Sequence, residues 1–409
     1  MNINENVYEY ELEQNIAQGA LTNSKHPNRF VNGIYPQVIS HGHGCHLYDL
    51  HGDAYIDFIC GLGTNLFGYG NEKLHNYVSR FSKQGACHSL PSKWEIIAAR
   101  KVKEILPFVE RVKFVNDGSS ACSAAITMAR CYQQYYGDTR RLMVHSEGYH
   151  GWHDNFTALT PPAHGVIKKG YIKPLSEMDH AAPEKIAAII IEPVQLDDSR
   201  ERIDYLNELR SFCSAHGIVL IFDETITGLR YPKLSVSAAF NIQPDLIIMG
   251  KALANGEKVS FIAGKSHLTE LDYFVSGTYH GHAQTLASVA YTIHMAQHDS
   301  QYDVSYLCNE GKWFADELNK CSEPMFRLCG YGSRAAFQGN QEQIALFWQE
   351  MAKAGILFGP SFFLNWDLIP HLNEVLYIAD RVISKIKNGD IVLEGNMPTS
   401  PFSQKARKQ

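Results

Sequence analysis

An acid and an amine stand at the ends of two apolar runs. Ile218-Val219-Leu220-Ile221-Phe222 leads straight into Asp223-Glu224, and Leu246-Ile247-Ile248-Met249 leads into Gly250-Lys251. Neither run alternates, so each predicts a strand buried on both faces, with charge delivered at its C-terminal edge. In open α/β sheets that edge is where ligands bind. Lys251 lies between Gly250 and Ala252-Leu253-Ala254, an apolar setting that lowers an amine's pKa and favours nucleophilic attack. Lys265 also follows a glycine, but it ends a later run and lies less naturally opposite Asp223. Glu224 alternates to the other side of its strand and is not expected to act on a ligand.

Three loops add to this pair. Asn116-Asp117-Gly118-Ser119-Ser120-Ala121 is a strand-to-helix turn with glycine and hydroxyls. Such a turn offers free N–H groups and a positive helix end to phosphate, although ordinary helix caps look the same. Gly148-Tyr149-His150-Gly151-Trp152-His153-Asp154 sets glycines around an aromatic, which lets a ring approach a flat ligand; by itself it reads equally as a packed loop. Ser276-Gly277-Thr278-Tyr279-His280-Gly281 is another hydroxyl-and-glycine turn, mute in isolation. Together they describe a site for a phosphorylated aromatic cofactor bound through lysine. The phosphate goes to Gly118, Ser119 and Ser120, the ring to Tyr149, a ring nitrogen to Asp223, and a Schiff base to Lys251. That is what pyridoxal 5′-phosphate (PLP) needs. His150 joins the same group. Glu192, before Pro193, brings a further carboxylate that orders the site, gates an arginine, or caps a turn.

No metal is expected. The alternating histidines of His41-Gly42-His43-Gly44-Cys45-His46 lack the spacing of structural zinc ligands. His150 and His153 are three apart, with no carboxylate or cysteine suitably spaced beside them.

The elements that must hold these residues follow in chain order. Residues 1 to about 36 read as an arm with a short helix and a turn at His26-Pro27-Asn28. From Gln37 to Phe58 the pattern is an antiparallel meander. From Gly61 to Thr292, strands at 112–115, 142–144, 187–191, 218–222, 246–249 and 261–264 alternate with helices, one near Ser119 and one over 203–216 ended by Gly217. This predicts an α/β fold with a mostly parallel, doubly covered sheet. Beyond Ala296 the pattern becomes helical, at 341–354 and 372–387, with a strand at 326–329. The expected division is an arm and meander at 1–60, a large ligand-binding domain at 61–295, and a smaller α+β domain at 296–409.

Composition bounds the class. The chain has 409 residues, 45% hydrophobic and 20% charged, with net charge −6; this is an ordinary globular profile with no electrostatic case for nucleic acid or anionic membrane. Met1-Asn2-Ile3-Asn4-Glu5-Asn6 is polar and acidic, so no signal peptide is expected, and Lys405 to Gln409 reads as a basic frayed end. No apolar run approaches the roughly 20 residues of a bilayer span. Nine scattered cysteines without a Cys-x-x-Cys pair fit buried thiols in a reducing cytoplasm. No Gly-x-Gly-x-x-Gly opens a helix after a strand, against a dinucleotide-binding domain.

At this point a resemblance covers most of the chain, from about Gly33 to Lys387. The segments Leu47 to Asp57, Val115 to Arg130, Gly148 to Asp154, Ile191 to Val194, Ile221 to Arg230, Pro244 to Leu246 and Gly250-Lys251 stand in family order. The chain resembles the fold-type I, class III PLP-dependent aminotransferases, in the glutamate-1-semialdehyde 2,1-aminomutase branch. The resemblance implies a mainly parallel seven-stranded sheet in the large domain, Lys251 as the cofactor lysine, and Asp223 as partner of the ring nitrogen. It also implies that Tyr149 stacks on the ring, and that Thr278 reaches the phosphate from the other subunit of a homodimer with shared active sites.

The departures are specific. Asp117 stands where a phosphate-loop serine is frequent, and it is expected to point away or to work through its backbone N–H. Thr225 replaces a common valine. Ala254-Asn255-Gly256 replaces a triple glycine and is similar to a branch associated with polysaccharide and amino-sugar pathways. Arg29 is the candidate for a substrate carboxylate, in a segment that differs from the aminomutase. These features lead to an aminotransferase that moves an amino group from an amino acid to the aldehyde or ketone of a small polar metabolite, such as a sugar. The alternatives are an aminomutase or racemase using the same residues, or a PLP-fold protein with a binding or regulatory role, against which the intact Lys251 and Asp223 speak.

Overall fold

The structure, a computed structural model, describes residues 11–12, 14–138, 142–153, 156, 171–178, 180 and 182–400. The first residues Met1–Asn6, the tail Lys405–Gln409 and Asp154 of the tyrosine loop lie outside the described residues. The chain forms two compact units, Met1–Asn71 with Tyr306–Gln409, and Glu72–Ser305.

Three antiparallel strands lead the first unit: β1 (Ile39–His43), β2 (His46–Asp49) and β3 (Ala54–Asp57). Gly44, at φ +57°, makes the turn between β1 and β2, a conformation glycine adopts without a Cβ penalty.

The second unit holds a seven-stranded sheet of β4 (Arg111–Val115), β5 (Met143–Glu147), β6 (Ile172–Pro174), β7 (Ile186–Ile191), β8 (Val219–Glu224), β9 (Leu246–Met249) and β10 (Ser260–Gly264). Their order is β4-β10-β9-β8-β7-β5-β6. Only β10 runs antiparallel to its neighbours, while β8 pairs in parallel with β7 and β9. Every residue of β7, β8, β9 and β10 is buried, which is why these strands read as continuous apolar runs. The helix Gly118–Tyr135 packs Ala121, Ala125, Met128 and Ala129 into the same core as Ile190, Ile221 and Ile248. The helix Arg200–His216 ends at Gly217 in the left-handed region, with the Gly217 N–H donating to the Cys213 carbonyl, as glycine at that position does.

The first unit is completed by the hairpin β11 (Phe326–Gly330) and β12 (Arg334–Gly339), then β13 (Ile356–Leu357) and β14 (Phe362–Phe363). β13 pairs in parallel with β3, through Ile356 with Ile56, so the C-terminal segment extends the N-terminal meander. Phe58, Phe358 and Phe362 stack at its centre, with ring centroids 4.8 Å apart for Phe58 and Phe358. No helix among the described residues is long and apolar enough to cross a membrane.

Candidate active site

The parallel strands of the second unit deliver their C-terminal ends to one edge of the sheet. Asp223 is the penultimate residue of β8 there and is 4% exposed. Both of its oxygens are held: Oδ2 accepts from His150 Nδ1 at 2.8 Å and from the Cys122 thiol at 3.2 Å, while Oδ1 accepts from the backbone N–H of Thr225 at 3.0 Å and from its hydroxyl. Burial pushes the Asp223 carboxyl upward. The hydrogen bond and charge of His150, with Thr225, outweigh it and hold the group below its ordinary value, so the acid is ionised despite its burial.

His150, 2% exposed, has its other nitrogen, Nε2, 3.2 Å from the Glu147 carbonyl. Both ring nitrogens thus face acceptors. The ring backs the acid. His153 goes elsewhere, 3.0 Å from Ser123 Oγ, so the two histidines of the loop do not converge. Burial, and then the charge of Asp223, push the Cys122 thiol well above its ordinary value. Cys122 therefore stays a neutral donor.

Lys251 follows β9 and opens the short 3₁₀ turn Lys251–Ala254, whose other three residues are buried. β9 pairs in parallel with β8, Ile248 opposite Asp223 and Met249 opposite Glu224, so Lys251 leaves the sheet at the same edge. Its backbone is left-handed at φ +42°, a strain of roughly 1–3 kcal/mol of the kind that clusters at functional sites. Lys265 is elsewhere: half-exposed, it pairs with Glu110 at 3.5 Å.

The phosphate-loop candidates open the helix Gly118–Tyr135. Asp117 turns its side chain back to cap that helix: Oδ1 accepts from the Ser120 N–H at 2.8 Å and Oδ2 from the Ser120 hydroxyl at 3.0 Å. The expected outward orientation thus has a specific cause, and both donors of Ser120 are committed to Asp117. The N–H groups of Gly118 and Ser119 have no intrahelical partner and remain to meet an anion at the positive helix end.

Tyr149 is half-exposed, and burial, then the nearby Cys122, raise its phenol pKa. Its backbone N–H donates to Glu192 Oε1 at 2.8 Å. Glu192 thereby holds the backbone of the loop at Tyr149. Arg202, which sequence reasoning missed, fixes the frame: it pairs with Glu147 at 2.7 Å and donates to the Glu192 and Pro193 carbonyls. Gly151, at φ +95°, touches the phosphate loop so closely that a Cβ there would overlap Ser119.

Two expected residues lie apart. Thr278 is exposed on the turn 276–281, and among the described residues it makes no hydrogen bond to the Asp223 group. Arg29 does not present a guanidinium to a substrate. It is 3% exposed and donates to Asn23, to Thr399 Oγ1 at 2.6 Å and to the Ser400 carbonyl; it is a structural clamp, and its candidacy for a substrate carboxylate is withdrawn. Cys122 and Thr225 were not assigned from sequence. The signal for Thr225 was a hydroxyl two residues past an aspartate; for Cys122 it was only a place on the buried face one turn into the helix.

The chain is 30% identical over 350 residues to a glutamate-1-semialdehyde 2,1-aminomutase of Haloarcula marismortui, covering 79% of this chain and 77% of that one. It is 28% identical over 329 residues to a 3-aminobutyryl-CoA aminotransferase of Cloacimonas acidaminovorans, covering 77% and 78%. Among solved structures, the FumI protein of Sphingopyxis sp. MTA144 has the same fold at TM-score 0.86 and 20% identity, over 96% of this chain and 98% of that one. An omega-transaminase from Sphaerobacter thermophilus follows at TM-score 0.81 and 19% identity, over 94% and 98%. The family model for class-III aminotransferases matches residues 31–170 and 162–362, and the chain belongs to that PLP-dependent family.

Proposed function

We propose that this aminotransferase moves an amino group from an amino-acid donor to the aldehyde or ketone of a small polar metabolite, a sugar or polysaccharide precursor among them. The observation that carries it is the ionised, four-donor Asp223 on β8, with Lys251 following the adjacent parallel strand β9. The residues present fit PLP: a buried carboxylate for a cationic ring nitrogen, an amine at the neighbouring strand end, and a helix start for phosphate. Gly118 fits closely too, since a Cβ there would come within 3.1 Å of Thr225. When bound, the cofactor supplies an electron-accepting ring.

The chain's own residues divide the work. Asp223 holds positive charge on the ring nitrogen, and His150 keeps Asp223 ionised. Gly118 and Ser119, with Ser120 shaping the turn, receive the phosphate. Tyr149, whose backbone Glu192 holds, would receive the ring face. Lys251 Nζ would hold the cofactor and, once displaced by the donor amine, would carry a proton from the substrate's Cα to the cofactor's C4′ carbon. Thr278 serves the phosphate of a second protomer, in a cytoplasmic homodimer with shared sites. Its exposed turn and the nine free thiols agree with that reading.

The second reading is an aminomutase of the glutamate-1-semialdehyde type, or a racemase, favoured by the name of the Haloarcula relative. Against it, Arg29 is engaged inside its own unit, and Asn255 with Gly256 forms a left-handed turn in place of a triple glycine. One experiment tests the proposal and separates the readings. Borohydride reduction of loaded protein should fix the cofactor's mass on the Lys251 peptide; another lysine would overturn the assignment. A single amino compound without a carbonyl acceptor should then give one stalled half-reaction, whereas sustained turnover means an isomerase.

A further inference from the structure

The histidine-rich hairpin between β1 and β2 has no part in the chemistry above. Its sequence spacings fail as a metal site, but the fold brings in two residues that spacing alone does not reveal. Asp367 and His371 lie on the helical turn Trp366–His371, in the same unit as the hairpin. Cys45 Sγ is 3.5 Å from His46 Nδ1. The rings of His46 and His371 meet edge to face, 5.4 Å between centroids. The ligand atoms of Cys45, His46 and His371 all lie within 4.8 Å of one another. The Asp367 carboxylate stands at the turn itself: a Cβ on Gly44 would lie 3.5 Å from its Oδ2, and one on Gly68 would overlap it.

We propose that Cys45, His46 and His371 bind a divalent cation of the zinc class, with a water in the fourth position and the Asp367 carboxylate alongside. Tetrahedral bonds of about 2.0–2.3 Å put ligand atoms roughly 3.3–3.8 Å apart, so the Cys45–His46 edge already has the required length. Thiolate and carboxylate balance the two positive charges. Sulfur and imidazole select zinc, cobalt or cadmium over magnesium and calcium. On binding, the Cys45 thiol gives its proton to solvent as the sulfur–metal bond forms. The ion ties the first hairpin to the turn preceding the helix Leu372–Asn388, two segments remote in the chain. The other cysteine–histidine–aspartate group, at Cys122, His150 and Asp223, has its carboxylate already occupied by four donors.

Cobalt(II) titrated into the cofactor-loaded wild-type chain is the test. The expected result is one ion per chain with thiolate-to-cobalt charge-transfer absorption, displaced by zinc, and a raised melting temperature. Cys45→Ser should abolish the absorption, His371→Asn should weaken affinity at least roughly tenfold, and Cys122→Ser should keep both. Absence of the absorption in wild type overturns the proposal, as does its loss in Cys122→Ser with retention in Cys45→Ser. If Cys45→Ser does not fold, His371→Asn decides alone: unchanged affinity refutes the site.

Discussion

Asp223 and Glu224 are neighbours on β8, both buried, and they face opposite sides of one sheet. Glu224 accepts from the N–H groups of Val236 and Ser237 at 2.8 and 2.9 Å, and from the hydroxyls of Ser235 and Thr227. All of those donors lie within the next 13 residues. Asp223 takes two of its donors from the next residue but one and two from far away, His150 at 73 residues and Cys122 at 101. Burial pushes both carboxyls upward; the donors around Glu224 fail to reverse it, while the imidazole beside Asp223 does. Equal burial on one strand therefore goes with opposite pKa shifts, and the imidazole beside Asp223 makes the difference.

The sharpest way to break this comparison is Asp223→Asn. The variant should fold with an unchanged circular dichroism spectrum and lose roughly 10²–10³-fold or more in kcat, on the scale of removing a preorganised electrostatic group. Full activity would move the ring-nitrogen role to another residue. Glu224→Ala should do the reverse, costing about 3–5 kcal/mol of stability in urea unfolding, because it strands buried donors, while turnover per folded molecule stays near wild type.

The pH dependence should separate the two acids by sign. Glu224's folded pKa lies above 4.5, so its contribution is most favourable below that value and declines as pH rises through the folded pKa. Asp223's folded pKa lies below 3.8; its contribution is present above 3.8 and is lost as pH falls through the folded pKa. The stability difference between wild type and Glu224→Gln should therefore shrink from pH 4.5 upward, and growth with pH would contradict the assignment. Cys122→Ala removes one weak S–H donor and should have the smallest effect, about 0.5–1.5 kcal/mol on the step that Asp223 serves, seen as a several-fold fall in kcat without a change in fold.

Much of the large unit was legible because its strands are buried on both faces. Runs such as Ile186–Ile191 and Val219–Phe222 admit few other readings, and their ends announce Asp223 and Lys251. The helix boundaries at Gly118 and Gly217 were legible from turn chemistry. What sequence could not supply was direction. Arg29 read as a free cation because its partners Thr399 and Ser400 lie at the other end of the chain. Cys122 read as core because an S–H donor and a buried methyl group look alike in a pattern. The pairing of β13 with β3 depends on two residues per strand, too short to carry a periodic signal.

The cap that Asp117 places on its own helix, and the contact between Gly151 and Ser119, have a consequence for uptake kinetics. Both are contacts within the chain, and both fix the helix start proposed above to receive phosphate. Cofactor capture should then proceed as a single bimolecular phase, its rate linear in cofactor concentration without a plateau from loop ordering. Ser120→Ala, which removes one arm of the cap, should introduce such a plateau while leaving the final occupancy at saturation intact.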